Sequence, residues 1–189
     1  VFIERAHLHD FLLAHRLVPM AMHSAAFDLA VVHQVVPDVD VYKWVDRDRI
    51  WDTELLHRLL VLGTEGHPAM GKGNATLEHC LAHYFNIELP KDLVDSRGLV
   101  VRTSYGQWLN RQFDDIEPVY LEYAAKDAMA TYRLYNRLRK RLDEFLHHNE
   151  EVFGFVSDDW LHEQRKKWGP QTHHIQVKAS VVLREVGKV

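Results

Sequence analysis

Two short apolar segments of this chain are each followed at once by a residue that can cap a helix and then by a helical pattern. Residues 17–22 are predicted to form a buried strand, after which Ser24 can cap the next helix. Residues 49–51 are predicted to form a second strand, and Asp52 can cap the helix that follows it. A repeated order of strand, cap and helix predicts an α/β fold.

Most of the remaining chain is predicted to be helical. Apolar residues at helical spacing mark the segment before the first strand and the segment that Pro90 closes. Pro118 suits the first position of a helix, and no helix breaker follows it before about His148, which predicts one long helix or two abutting ones. The intervening tracts are expected to be irregular, namely residues 38–48, 63–73 and 91–116.

The composition predicts a folded chain that contacts nucleic acid only locally. Hydrophobic residues make up 47% of the 189 positions and charged residues 26%, which excludes a disordered or fibrous chain. The formal net charge of -4 excludes a protein that coats nucleic acid through a general basic excess. The single cysteine, Cys80, fits a reducing compartment, so we expect a cytoplasmic protein. No long apolar run or secretion signal is visible, and no membrane partner is expected.

The length predicts one domain with an appendage, at roughly 150 residues per domain. We expect residues 1–148 to form the main domain. Residues 149–172 are rich in polar and aromatic residues and contain Gly154 and Gly169, which predicts a linker. A new apolar periodicity then begins, so residues 173–189 are expected to start a further domain.

Tyr123 and Asp127 lie four positions apart within the long helical tract. That spacing places both side chains on one face of a helix, about one turn apart. A carboxylate there can bind a hard divalent cation, and a phenol can orient a water molecule or a phosphate oxygen. The same spacing often arises by chance, in which case it combines a surface aspartate with a core tyrosine.

Three segments of the chain resemble, in the right order, the motifs of a nuclease superfamily. Residues 22–29, which contain Asp28, resemble the second motif of the DEDD superfamily of 3′-5′ exonucleases. Residues 123–128 resemble the third motif of its DEDDy branch, and residues 51–53 are similar to the Asp-Thr helix start found between the two. The resemblance covers roughly residues 5–146 and is best to the proofreading domains of family A DNA polymerases, with ribonuclease D as a relative.

This resemblance implies a ribonuclease-H-like fold, with a mixed sheet flanked by helices, and a two-metal site for Mg²⁺ or Mn²⁺. Asp127 would bind a metal ion directly, Asp28 directly or through water, and Tyr123 would orient the attacking water. The substrate would be a single-stranded DNA 3′ end. Candidate nucleic-acid contacts are His23 beside Asp28, Lys72 in the glycine-rich loop, Arg97 and Arg102 before the third motif, and Tyr105, which can stack on a base.

One element of the family pattern is absent. The first motif, Asp-x-Glu on the first strand, belongs before Asp28, yet residues 1–27 contain only Glu4 and Asp10 as acids. The chain is therefore either a fragment whose first strands precede it or a degenerate domain that no longer cleaves. We favour a fragment, because Val1 is not an initiator methionine and the first helix matches the one that follows those strands. The isolated chain is then expected to be inactive.

Three functions stay open at this point. The first is DNA proofreading beside a polymerase domain in the same parent chain, since residues 178–187 resemble the helix that leads into such a domain. The second is ribonuclease D-like processing of RNA 3′ ends, because discrimination depends on contacts to the 2′-hydroxyl. The third is an inactive exonuclease-like domain that only binds nucleic acid or has a structural role.

Three further patterns are expected to have no catalytic role. Residues 113–117 mimic the missing acidic motif, but they precede Pro118, where acids favour the start of a helix. Residues 66–73 resemble a phosphate-binding loop without its Ser or Thr, and a flexible connector is expected there. His79 and His83 are expected to face solvent, with Cys80 on the apolar face.

Overall fold

The structure is a computed structural model that describes residues 2–66, 73–88, 90, 92–108, 111–152 and 167–187. The described segments fold into helices around a two-stranded sheet. The elements are α1 (Arg5–Ala14), β1 (Met20–Met22), α2 (Ala25–Val35), α3 (Val41–Asp46), β2 (Ile50–Asp52), α4 (Thr53–Glu65), α5 (Leu77–Phe85), α6 (Pro118–Val152) and α7 (Thr172–Val186). Three 3₁₀ turns lie between α5 and α6, and a π-helical turn precedes α7.

The two strands are parallel, so both end at the same edge of the sheet. Met20 pairs with Ile50 and Met22 pairs with Asp52. Both predicted strands exist, although β1 is shorter than the apolar segment that predicted it. The α/β class is therefore confirmed in its coarse form. Of the predicted mixed sheet, the described residues show this parallel pair and an isolated antiparallel bridge between Val94 and Val100.

The prediction that the Ser24 side chain caps α2 is wrong. Ser24 precedes α2 with φ at 67°, and its side chain makes no capping hydrogen bond. Capping side chains need an extended backbone, which a left-handed residue lacks. The Asp52 carboxylate instead accepts hydrogen bonds from the backbone amides of Ser24 at 3.3 Å and Ala25 at 2.7 Å. It also accepts from Glu54 at 2.9 Å and Leu55 at 3.2 Å, as the sequence predicts for the start of α4.

Apolar side chains form two clusters on opposite faces of the sheet. Successive strand residues point to opposite faces, and Ile50 belongs to one cluster whereas Trp51 belongs to the other. The first cluster joins α1, α2, α3 and α7 and includes Leu29. The second joins α4, α5 and α6 and includes Cys80 and Leu138. The arrangement places α2, α4 and α6 around the edge where the strands end.

The expectation of an irregular tract at residues 38–48 is wrong for its middle part, which forms α3. Asp40 caps α3 by accepting a hydrogen bond from the Lys43 amide at 3.1 Å. Val41, Trp44 and Val45 are buried in the first cluster. A six-residue helix is too short to produce a clear periodic signal in a sequence.

The last two helices complete the described structure. The long tract after Pro118 forms the single helix α6, one of the two predicted arrangements. Val177 and Val181 of α7 belong to the first apolar cluster, together with Leu29 and Trp44. The division of the chain at residues 148 and 172 stays a prediction.

Within the described residues, no helix combines the length and the apolar character needed to cross a membrane.

Candidate active site

Asp28 and Asp127 line one open cleft of about 910 Å³. Asp28 lies in the first turn of α2, and Asp127 lies on α6, so the fold brings together two acids that are far apart in the sequence. The end of β1, the amino-terminal half of α4 and the segment that enters α5 complete the walls, with His23, Glu54, Arg58, Thr76 and Glu78 among their residues, and Thr131 lines the cleft from α6. We refer to this cavity as the acidic cleft.

Asp28 is a partly buried carboxylate near a second acid. Burial, and after it the negative charge of Asp52, raise its pKa to about 6. Both effects disfavour the ionised form. The position of Asp28 follows from the turn at Ser24, since α2 begins directly after β1 ends and its first turn faces the cleft.

Tyr123 and Asp127 interact directly across one turn of α6. The Tyr123 hydroxyl lies close enough to the Asp127 carboxylate to favour its ionised form, which lowers the pKa of Asp127. Burial and the charge of Glu78 have the opposite effect, and the pKa of Asp127 is raised overall. The structure therefore brings together the two residues whose spacing suggested a common site.

His23 connects three parts of the cleft. Its Nδ1 atom lies 2.8 Å from Thr53 Oγ1, at the start of α4. The ring also lies near the backbone of Ala75, in the segment that enters α5. Burial lowers the pKa of His23, although the nearby acids Asp52 and Glu54 and the Ala75 backbone favour the protonated ring and raise it in part. These contacts make His23 a packed member of the wall rather than a free cation.

A buried histidine on α4, which the sequence analysis did not select, links α4 to the segment before α5. His57 is 2% exposed and contacts the carbonyl oxygen of Asn74 through Nε2 at 3.1 Å. A carbonyl only accepts, so Nε2 carries the proton and Nδ1 accepts from the Tyr84 hydroxyl at 2.9 Å. The pair of bonds ties the segment before α5 to α4. Burial lowers the pKa of His57 and favours this neutral form.

Two acids of the cleft were missed because each lies in the first turn of a helix. Glu54 follows the cap Asp52, and Glu78 follows the cap Thr76. Acids at such positions usually stabilise the helix dipole and need no further function. Only the packing of α4 and α5 around α6 shows that both face the same cavity as Asp127.

The other predicted nucleic-acid contacts occupy different places. Arg102 lies 3.7 Å from Glu78 and therefore stands at the margin of the acidic cleft. Arg97 pairs with Asp95 at 2.9 Å and lies beside the Trp108 ring, outside the residues that line the cleft. Tyr105 is 39% exposed, and its ring centroid lies 6.4 Å from that of Tyr123. Lys72 lies outside the described residues, as does most of the loop that resembles a phosphate-binding motif.

The patterns expected to have no catalytic role are placed as follows. Glu117, which ends the mimic of the first motif, accepts hydrogen bonds from the amide and hydroxyl of Ser96. His79 and His83 are exposed and their rings stack at 6.3 Å, whereas Cys80 is fully buried, as the helical spacing predicts. Burial raises the pKa of the Cys80 thiol to about 12, which excludes a reactive thiolate.

The acidic cleft offers the type of ligand atom that a divalent cation prefers. Asp28 and Asp127 offer carboxylate oxygens, the ligands that hard cations such as Mg²⁺ and Mn²⁺ prefer. Across the described ranges, no three histidine, cysteine or acidic side chains converge into a group that could hold a metal ion. The described residues thus supply part of a ligand set.

Comparison with known proteins agrees with the geometry. The family model described as 3′-5′ exonuclease matches residues 4–143, which span β1, β2 and the elements that line the cleft. No curated protein matches the chain. No solved structure matches it either.

Proposed function

The chain belongs to the 3′-5′ exonuclease family of the DEDDy proofreading type, and from that membership we propose that the acidic cleft binds and cleaves the 3′ end of single-stranded DNA. One observation carries the proposal. Asp28 and Asp127, from the two segments that resemble the second and third motifs, line the same cavity. The family implies a ribonuclease-H-like fold and the use of divalent metal ions.

Asp127 and Asp28 would hold the metal ions, for which we propose Mg²⁺ or Mn²⁺. Bound there, a pair of such ions would activate the attacking water and stabilise the leaving 3′ oxygen. The Tyr123 hydroxyl, beside Asp127, would orient that water by a hydrogen bond. His23 would shape the end of the cleft where β1 meets α4.

Two aspects of the proposal rest on the sequence motifs. The resemblance to proofreading domains of family A polymerases supports DNA as the substrate and a polymerase domain as the partner. The absence of an Asp-x-Glu motif before Asp28 supports the inference that residues 1–189 alone have little or no activity. A two-metal site needs more carboxylates than the two that these motifs supply.

The test uses the protein at its full natural length and single-stranded DNA labelled at its 5′ end. We expect stepwise shortening from the 3′ end in Mg²⁺ or Mn²⁺ and none in EDTA. Asp127→Asn should reduce the rate at least about a hundredfold, since it removes a proposed metal ligand. The matched control is Glu144→Gln, which neutralises an exposed carboxylate on the same helix.

Normal shortening by Asp127→Asn would overturn the proposed role of the cleft. Failure of the full-length protein to shorten DNA in either metal would overturn the proposed reaction. The same assay with a labelled RNA of equal length separates DNA proofreading from RNA processing, because faster digestion of RNA would contradict the proposed substrate.

A further inference from the structure

Arg58 is an arginine in the wall of a cleft that is otherwise strongly acidic. Among the residues that the structure describes, four carboxylates line that cavity, namely Asp28, Glu54, Glu78 and Asp127. Arg58 lies on α4, and its side chain is 34% exposed at the cleft. A nucleic-acid strand that enters the cavity brings phosphate charge toward these acids. Metal ions would offset the charge near Asp28 and Asp127, whereas the α4 wall requires a cation of its own.

Glu54 fixes the direction of the Arg58 guanidinium. Its Oε1 atom accepts hydrogen bonds from Arg58 Nε at 3.2 Å and from a terminal nitrogen at 3.0 Å. Glu54 lies one helical turn before Arg58, the order that suits a glutamate and a cation four positions apart. A planar guanidinium whose direction is fixed in this way is preorganised, so less conformational freedom is lost when it binds an anion.

The guanidinium of Arg58 suits a phosphate, and its pair with Glu54 adds little to the stability of α4. Ion pairs between positions i and i+4 contribute about 0.3 to 0.5 kcal/mol to a helix where they are exposed, and the Arg58 side chain is 34% exposed. The guanidinium carries five N–H donors in a fork that matches two phosphate oxygens. The apolar residues on the other faces of α4, such as Leu56 and Leu60, already anchor the helix in the core.

We propose that Arg58 binds a backbone phosphate of the strand that occupies the acidic cleft and that Glu54 is its positioning residue. This inference rests on the proposed function and adds a substrate contact on the wall between Asp28 and the α5 segment. Phosphate contacts position the strand without reading its sequence. Arg58 therefore contributes to affinity for any base sequence.

The experiment measures binding of a fluorescein-labelled oligothymidylate to the full-length protein by anisotropy, in Ca²⁺, over a series of salt concentrations. Gel analysis confirms that the oligonucleotide stays intact. We expect Arg58→Met to raise Kd about tenfold, since it removes a charge-assisted contact. The slope of log K against log salt should fall by about 0.7, the value for one phosphate contact on a single strand.

Further variants separate the contact from a structural role. Arg58→Lys should keep part of the affinity, and Glu54→Gln should weaken binding less than Arg58→Met does, since it only releases the guanidinium. The matched control is Lys140→Met, which breaks another i to i+4 ion pair, on α6 and outside the cleft. It should leave Kd and the salt slope unchanged. All variants should keep the wild-type unfolding midpoint.

A wild-type Kd and salt slope in Arg58→Met would overturn the inference while leaving the proposed function intact. Weaker binding with an unchanged slope and a lowered unfolding midpoint would also overturn it, because Arg58 would then act through stability. The proposed function fails separately, when the wild-type protein neither binds nor shortens the DNA.

Discussion

The Asp52 carboxylate accepts a hydrogen bond from the backbone amide of Ala25 at 2.7 Å and thereby joins the start of α2 to the start of α4. Asp52 is only 2% exposed and serves both helices at the edge where the parallel strands end. Because Asp28 follows on α2 and both Glu54 and Arg58 follow on α4, this one side chain sets the relative positions of two walls of the acidic cleft.

Asp52→Ala is expected to lower the free energy of unfolding by about 3 kcal/mol. The change leaves four backbone amides at the two helix starts without their acceptor, and buried donors without partners are costly. Urea unfolding followed by circular dichroism measures the loss. Asp40→Ala is the control, since Asp40 caps only α3 through a single amide and should cost about 1 kcal/mol. Equal losses in the two variants would contradict the double role of Asp52.

His173 is expected to make the stability of the protein fall in acid. It is fully buried, its Nε2 lies 3.1 Å from the Asp52 amide nitrogen, and its ring stacks on Trp51. Burial lowers its pKa from 6.5 to about 4. As the pH falls, the unfolded chain therefore binds a proton on this histidine at a higher pH than the folded chain does. The free energy of unfolding then decreases by about 3 kcal/mol between about pH 6.5 and about pH 4.

Urea unfolding at pH 7 and pH 4.5 tests this effect. His173→Gln should reduce the difference in unfolding free energy between the two pH values, even though it also lowers the stability at pH 7. His15→Gln, at an exposed position, should leave the difference unchanged. An undiminished pH dependence in His173→Gln would show that other groups cause it.

Asp28→Asn is expected to stabilise the metal-free protein at neutral pH. The pKa of Asp28 is raised to about 6, so as the pH falls the folded state binds a proton at a higher pH than the unfolded state does. Above that pH the ionised form opposes folding. Allowing for solvent screening at this partly open site, the gain should be about 1 kcal/mol at pH 7.5 and should vanish near pH 4. Thermal unfolding in EDTA at both pH values measures it.

Asp10→Asn provides the control, because Asp10 is 85% exposed in side-chain area and lies on α1 away from the cleft. Divalent cations give a second readout. They should raise the melting temperature of the wild-type protein more than that of Asp28→Asn, since a ligand that binds only the folded state stabilises it. If Asp28→Asn gained no stability in EDTA, the conclusion that the ionised Asp28 carboxylate opposes folding would be contradicted.

Tyr123→Phe is expected to slow cleavage and to spare DNA binding. The change removes the hydroxyl beside Asp127 and keeps the aromatic ring, so kcat should fall about 10- to 100-fold while Kd stays within about twofold. Single-turnover digestion of labelled DNA by the full-length protein measures the rate. Tyr132→Phe, an exposed tyrosine on the same helix, should be neutral. An unchanged rate in Tyr123→Phe would remove the phenol from the proposed reaction.

The arrangement of the candidate site was predictable wherever neighbouring residues determine it. The four-residue spacing of Tyr123 and Asp127 fixes their common face once α6 forms, and Asp52 caps α4 within three residues of its own position. Glu78 and Arg58 were not predictable in the same way. Each has a sufficient local explanation, as a first-turn acid or a solvated base, and only the packing of α4 and α5 on α6 turns both toward the cleft.

The sequence alone determined the start of α4 at its Asp52 cap, the order of the two strands and the helices that follow them, and the family motifs, because hydrogen bonds and side-chain spacing within a few residues control them. Tertiary structure alone decided that Asp28 meets Asp127 in one cleft, that Asp52 caps α2 as well as α4, and that α7 packs against the sheet through His173. These relationships join distant segments. They depend on how the apolar faces of the helices fill two common cores, and no local pattern in the chain records that choice.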